Sequence, residues 1–305
     1  MMLLRHIRYF LALAEHRNFT RAAEALHVSQ PTLSQQIRQL EDTLGVQLLD
    51  RSGRTIQLTD AGATYLRYAQ RALQDLEAGQ RAIHDVHELS RGSLRLAMTP
   101  TFTAYLIGPL LAKYNRHYPN ITLNILEMPQ DRMEMLLNDD ALDIGIAFDE
   151  TRTPEIETQL LFVEALAMVV GKSHPWAKRR AVVTLREFEN EALVLLNDEF
   201  ATRHHIDRYY RQHGVAPRIA MEVNSISAAI EIVRRSTLST LLPAAIARQH
   251  GELHLRDLKP ALPRRTAALL LRKGAYRSAA TRAFIALALE ESAAEQRVRR
   301  AGATE

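Results

Sequence analysis

The 305-residue chain contains no cysteine. That absence excludes disulfides, thiol nucleophiles and cysteine-ligated metal sites, and it fits a cytoplasmic location. No apolar run approaches the roughly 20 residues that cross a bilayer, so no membrane partner is expected. The opening MMLLRHIRYFLALAEH imitates a signal peptide ending in Ala12-Leu13-Ala14, but Arg5, His6 and Arg8 interrupt the apolar run and point to a helix. Glycine is sparse too. The 12 glycines never form GxGxxG or a Walker loop, and there is no GxSxG elbow and no HExxH pair. No catalytic residue is therefore nominated, and an enzyme is not expected. His84 and His87, like the adjacent His204 and His205, lack a third ligand nearby in sequence, so neither a metal nor another cofactor is expected. The excess of one charge sign is small, +4 with a pI near 9.4. That suits one polyanion-binding module on a near-neutral body.

What is present divides into three regions. In the first, residues 1–58, Leu3, Ile7, Phe10, Leu11 and Ala14 recur at helical spacing. The stretch Phe19 to Leu44, FTRAAEALHVSQPTLSQQIRQLEDTL, reads as two short helices joined by a polar turn. Thr20 is expected to cap the first of them and Ser29 the second, with Pro31 in the opening turn and Gly45 just past the end. Leu33, Ile37, Leu40 and Leu44 share one face, expected to be buried. The opposite face shows Gln30, Pro31, Thr32, Ser34, Gln35 and Arg38. Leu48 to Arg51 and Thr55 to Leu58 then flank Ser52-Gly53-Arg54 as a hairpin. A hairpin beside a helix-turn-helix is a wing, and the combination predicts a winged, mainly α module for double-stranded DNA.

Residues 59–91 carry one long helical pattern, capped by Thr59 or Asp60 and stopped at Gly92. Leu66, Leu73, Leu76 and Ile83 fit the seam of a heptad frame, which predicts pairing with a second copy. From 92 to 293, strands alternate with helices. They include 93–98, 121–125, 142–148, 166–170, 193–196, 219–223, 240–243 and 267–271, with a closing helix from Ser278 to Leu289. That alternation predicts mostly parallel α/β sheets in two subdomains, about 92–162 with 267–293, and about 163–266. Residues 294–305 read as a frayed tail.

Taken together, FTRAAEALHVSQPTLSQQIRQLEDTLGVQLLDR, LTDAG at 58–62, RGSLRLA at 91–97, LDIGIA at 142–147 and STLLP at 239–243 resemble the LysR-type transcriptional regulators, in family order over essentially the whole chain. The resemblance implies a long linker helix, two Rossmann-like subdomains arranged as in periplasmic binding proteins, and a homodimer or a homotetramer built as a dimer of dimers. It also implies a cytoplasmic regulator that engages promoter DNA and RNA polymerase, as activator or repressor. A small inducer would change the angle between the subdomains and relax a DNA bend. Within the family, TPTFTAYLIGPL at 99–110, EFATR at 199–203 and the 222–247 stretch are similar to regulators of cyanate-degradation operons, which implies a small anionic inducer such as cyanate. The chain departs from many members at Ser236 to Ser239, where a Gly-x-Gly is common; bulkier residues there suit a very small ligand.

Two sets of residues are expected to act. On the recognition helix, Gln35 and Arg38 are long enough to reach base edges, with Gln suited to adenine and Arg to guanine. Gln30, Pro31, Thr32 and Ser34 line the same face and suit phosphate or register contacts, and Arg51 and Arg54 on the wing suit backbone or minor groove. Between the subdomains, three hydroxyls after strands, Thr99, Thr101 and Thr202, are more than helix capping requires. In the family, the residues matching them line the inducer pocket. Phe148, Phe200 and Ser225 would face the same cleft, although Ser225 has a sufficient explanation as a helix cap. The alternatives are a regulator of another operon with a small carboxylate effector, and an architectural DNA binder that ignores ligands.

Overall fold

The computed structural model describes residues 3–51, 56–85, 92–179 and 181–301. Two units, Met1–His84 and Asp85–Glu305, each have their own core. In the first, α1 (Leu4–His16), α2 (Phe19–Ala25) and α3 (Gln30–Leu44) are followed by the short strands β1 (Leu49–Asp50) and β2 (Gln57–Leu58) and the long helix α4 (Asp60–Asp85). Phe10 and Leu13 of α1 and Leu33, Ile37 and Leu40 of α3 are fully buried together. Phe10 meets Tyr65 of α4 edge-on at 5.3 Å.

Local chemistry sets the boundaries. Asn18, not Thr20, caps α2, its side chain accepting the Arg21 amide at 3.1 Å. The turn into α3 passes through His27 at φ +54°, a left-handed conformation that histidine tolerates better than most residues. Ser29 caps α3 as expected, and Gly45 ends it at φ +67°. Leu44, expected on the buried face, is exposed, because the helix has by then run past the core. Glu41 on α3 is buried and accepts the amides of Leu48 and Leu49 at 2.9 and 3.2 Å while pairing with Arg51 at 2.7 Å. One carboxylate thus fixes where the wing begins. Thr59 caps α4 by accepting the Gly62 amide at 3.0 Å.

In the second unit the strands β3 (Gly92–Met98), β4 (Ile121–Glu127) and β5 (Ile144–Phe148) alternate with α5 (Pro100–Thr103), α6 (Ile107–His117) and α7 (Gln130–Asn138). Strand β6 (Ile156–Gly171) follows, then β7 (Val183–Thr184), α8 (Leu185–Glu189), β8 (Ala192–Leu196), α9 (Ala201–His213), β9 (Arg218–Val223), α10 (Ile226–Arg235), β10 (Ser239–Pro243) and α11 (Ala244–Arg248). The chain closes with β11 (Leu253–Arg256), β12 (Leu258–Lys259), β13 (Arg264–Arg272) and α12 (Ala279–Ala301). Helix α12 therefore continues well past Leu289, through most of the stretch that reads as a tail.

The sheets are mixed, where mostly parallel ones were expected. β4, β3 and β5 are parallel in one subdomain, and β10, β8 and β9 in the other. The strands that join the halves run against them. The first part of β6 pairs antiparallel with β13 from Ile156 to Ala165, and its last part pairs antiparallel with β10 from Leu166 to Val170. A chain that enters one sheet from the other, without a crossover helix, arrives in the opposite direction. Side-chain alternation then assigns the two faces. Val194 and Leu196 pack into the central core, whereas Leu193 and Leu195 join the outer core of the second subdomain. At a bulge in β6 the Leu161 carbonyl leaves the ladder and accepts from Ser292 and Gln296 of α12, at 2.6 and 2.7 Å. Among the described residues, no helix is long and apolar enough to cross a membrane.

Replacing Glu41 by alanine would strand two buried amides and one arginine, a loss of about 2–4 kcal/mol. Urea unfolding followed by far-UV circular dichroism should show the first unit melting earlier. The fluorescence of Trp176, the single tryptophan and a residue of the second unit, should keep its midpoint.

Candidate functional site

Helix α3 presents Gln30, Pro31, Thr32, Gln35 and Arg38 to solvent, while Ser34 is half-buried. The outward face is thus polar and uncommitted, apart from the Ser29–Thr32 hydroxyl contact at 2.7 Å. Two features were not legible in the sequence. His6, buried on α1, contacts Gln36 Oε1 through Nε2 at 3.0 Å, and Gln36 Nε2 donates to Gln39 Oε1 at 3.0 Å. The inner edge of the polar face is therefore braced from beneath. Arg51 is not a free cation either. It pairs with Glu41 and lies 5.6 Å from the Phe19 ring, which leaves only part of its guanidinium turned outward. Arg54 lies outside the described residues. On α4, Leu66 packs into the core of its own unit, Leu73 is half-buried and Leu76 is 51% exposed, with Tyr68 exposed nearby. The Ile83 side chain lies outside the described part.

The second site forms where β6 and β13 pass between the subdomains. Thr99 and Thr101 follow β3, and both are buried with hydroxyls that find no partner. The side chain of Thr99 makes no capping bond, so capping does not account for it. Thr202, fully buried in the first turn of α9, accepts from Arg265 Nη2 at 2.9 Å. Arg265 stacks over the Phe148 ring, with its guanidinium carbon 3.9 Å from the centroid, and Nε donates to Glu164. Glu164 also accepts the Tyr105 hydroxyl at 2.6 Å. Nη1 of Arg265 has no partner, and neither does Oδ1 of Asn197 at the end of β8. Burial pulls the Arg265 guanidinium below its ordinary value and Glu164 opposes that pull; an arginine stays charged regardless.

Phe148 and Phe200 are buried in the central core. Gln130 holds the first by accepting the Phe148 amide at 3.1 Å and donating to its carbonyl at 3.0 Å. Phe148, Ala201 and His205 wall one side of an open cleft of about 370 Å³ whose rim includes Glu150 and Arg208, 3.9 Å apart. Ser225 caps α10 by accepting the Ala228 amide at 3.3 Å, so its bland explanation suffices. Sequence reasoning missed Arg265 and Glu164. For Glu164 the signal was there, a lone charge in the apolar stretch Phe162-Val163-Glu164-Ala165-Leu166, where an uncompensated charge is not tolerated; Arg265 was masked by Arg264 beside it. No group of three metal-ligating side chains occurs among the described residues.

Burial, followed by the Arg265 charge, holds the His205 imidazole below its ordinary value. The unfolded chain then binds more protons than the folded one just below pH 6.5, so stability falls as pH drops through that window. Thermal melts between pH 5 and 8 should show this slope, and His205→Gln should flatten it.

The profile of bacterial regulatory helix-turn-helix proteins of the lysR family matches residues 4–63, and that of the LysR substrate binding domain matches residues 87–293. The chain is 32% identical over 277 residues to a hydrogen peroxide-inducible genes activator of Pectobacterium carotovorum subsp. carotovorum, covering 90% of this chain and 91% of that one. It is 29% identical over 293 residues to a RuBisCO operon transcriptional regulator of Allochromatium vinosum, covering 95% and 96%. Among solved structures, a full-length OxyR variant from Pseudomonas aeruginosa superposes with a TM-score of 0.68 at 26% identity, covering 96% of this chain and 94% of that one. Full-length CbnR in complex with its target DNA does so with 0.62 at 25%, covering 95% and 100%. These proteins are regulators and not enzymes. With both profiles matched in order, and with the recognition-helix head and the two-subdomain α/β unit they describe, the chain belongs to the LysR family of DNA-binding transcriptional regulators.

Proposed function

We propose that this regulator is switched by a small anion bound between the two α/β subdomains, and that cyanate is the first candidate to try. The observation that carries this reading is the set of buried polar atoms without partners at the strand ends: the hydroxyls of Thr99 and Thr101 and Nη1 of Arg265. Buried polar groups are nearly always satisfied, and each exception calls for a reason. An anion accepting from two hydroxyls and a guanidinium supplies one. A response to peroxide through thiol oxidation, by contrast, needs a cysteine, and there is none. The 370 Å³ of the adjoining cleft exceeds what a triatomic ion fills, and it favours a second reading with a small carboxylate as effector.

On this reading, Gln35 and Arg38 read base edges in the major groove, and Gln30, Pro31, Thr32 and Ser34 set register on the phosphates. Arg51 and Arg54 of the wing meet the backbone. The exposed Leu76, with Leu73 and Ile83, pairs α4 with that of a second copy, giving a dimer or a dimer of dimers on a pseudo-palindromic site. Effector binding alters the subdomain angle, and RNA polymerase reads the result in the cytoplasm. Activation and repression are both open to such a device.

Two experiments test it. Arg38→Ala should weaken operator binding tenfold or more, about 1–3 kcal/mol, with little loss on random duplex; equal losses on both in gel shifts at fixed salt would remove the base-reading role. Thr101→Val should abolish the footprint change caused by inducer while leaving DNA affinity intact. Its melting temperature should hold or rise, since the hydroxyl it removes is buried without a partner. A Thr101→Val protein that responds normally to inducer refutes the site.

A further inference from the structure

Two glutamines one turn apart on α3 carry a hydrogen-bond network whose direction is fixed. The Leu3 amide donates to His6 Nδ1 at 3.3 Å, and an amide N–H can only donate. Nδ1 therefore keeps its lone pair, and the proton of the neutral ring sits on Nε2. That N–H points at Gln36 Oε1, 3.0 Å away, and sets which end of the Gln36 amide is oxygen. Gln36 Nε2 then donates to Gln39 Oε1 at 3.0 Å. The chain of donors starts at His6, which is 3% exposed, and ends in solvent at the Gln39 amino group.

This network divides the glutamines of α3. Gln35 is exposed, and among the described residues nothing engages either end of its amide, so it can accept and donate together, as adenine requires. Gln39 is exposed too, but its oxygen is taken. What faces outward is donors only: the Gln39 amino group and the second N–H of Gln36. A donor-only pair matches oxygens that only accept, and phosphate oxygens run along both walls of the groove. The pair also lies where a wall is expected. Ser34, Arg38 and Glu41 follow one another along one flank of α3, where Arg51 of the wing binds Glu41. Thr32, Gln36 and Gln39 follow along the other, where α1 supplies His6. A helix about 10–12 Å across fills a major groove about 12 Å wide, so both flanks meet backbone. Asp42, one turn beyond Gln39, is exposed and acidic, and the run of donors ends before it.

We propose that Gln36 and Gln39 form a phosphate-binding pair on the flank of α3 away from the wing, and that the buried His6 is the positioning residue that aims it. This rests on the reading of α3 as the helix that enters the major groove. The pair holds one sugar-phosphate strand while the wing holds the other, which centres Gln35 and Arg38 over the base edges between them. The contact carries no sequence information of its own. Its contribution is register, and it is present on any duplex.

Fluorescence anisotropy of the full chain on a random-sequence duplex and on operator, over a series of salt concentrations, tests this. Gln39→Lys should bind both more tightly, with a log–log salt slope steeper by about one per bound subunit. Gln39→Glu should bind both at least about tenfold more weakly at low salt, because it turns a carboxylate toward phosphate. Both should keep the natural melting temperature, since Gln39 is exposed. If both bind as the natural protein does while Arg38→Ala shows its operator defect, the pair is overturned and the recognition helix stands. If all three variants are silent, the recognition-helix reading falls and takes the pair with it. A loss confined to operator moves the pair to base edges and overturns the phosphate assignment. His6→Phe fills the same space and deletes the donor. It and Gln39→Ala should each weaken the random duplex about three- to tenfold, the worth of one neutral hydrogen bond. The double variant should lose no more than either single one, because His6 acts through Gln39. Losses that add, or a His6→Phe protein that melts earlier with its DNA affinity intact, overturn the role of His6.

Discussion

The pairing of Arg265 with Glu164 sits where the two α/β subdomains share their strands, and the geometry of the second unit turns on it. Glu164 is near the end of the part of β6 that pairs with β13, two residues before β6 begins to pair with β10 at Leu166. Arg265 is its register partner on β13. A charge at the crossing of two sheets is costly unless it is answered, and here each partner answers the other. Tyr105 and Thr202 complete the hydrogen bonding from opposite sides of the crossing. Thr202 belongs to the second subdomain and Tyr105 to the first, so the pair ties both to the same two strands.

That arrangement joins the two subdomains through shared strands as well as through packing. The central core continues from Leu94 and Leu96 in one sheet to Val194 and Leu196 in the other. The cleft face, by contrast, is held by Gln130 around Phe148, by the exposed Glu150–Arg208 pair, and by the ring contact of Phe148 with His205 at 6.2 Å. Exposed ion pairs contribute little. The DNA-reading unit is built on the opposite plan. Glu41 spends a buried carboxylate on fixing the start of the wing, and His6 holds Gln36 from beneath the outward face of α3.

The helix-turn-helix was almost wholly legible in the sequence because its determinants are local. Ser29, Pro31, Gly45 and the spacing of Leu33, Ile37 and Leu40 each act within a few residues. The misreadings were local competitions: Asn18 won the cap from Thr20, and Leu44 lay one turn beyond the core. The alternation of strands and helices from Gly92 onward was legible for the same reason. Thr99, Thr101 and Thr202 stood out in the sequence as hydroxyls in places where one cap would have sufficed, and the structure buries all three.

By itself, the sequence determined what the chain can do without long-range partners: form a recognition helix, end it, and lay down strands with two distinct faces. Only the tertiary structure decided which charges meet. Glu164 and Arg265 are about a hundred residues apart, a separation at which pairing depends on sheet register and on nothing within reach of either residue. The same holds for Glu41, whose neighbours in α3 suggest a solvated helix face until the wing folds over it, and for the antiparallel turn of the sheets, which follows from the chain passing between two subdomains. Short-range preferences are written residue by residue; the compensation of a buried charge is a property of the packed whole.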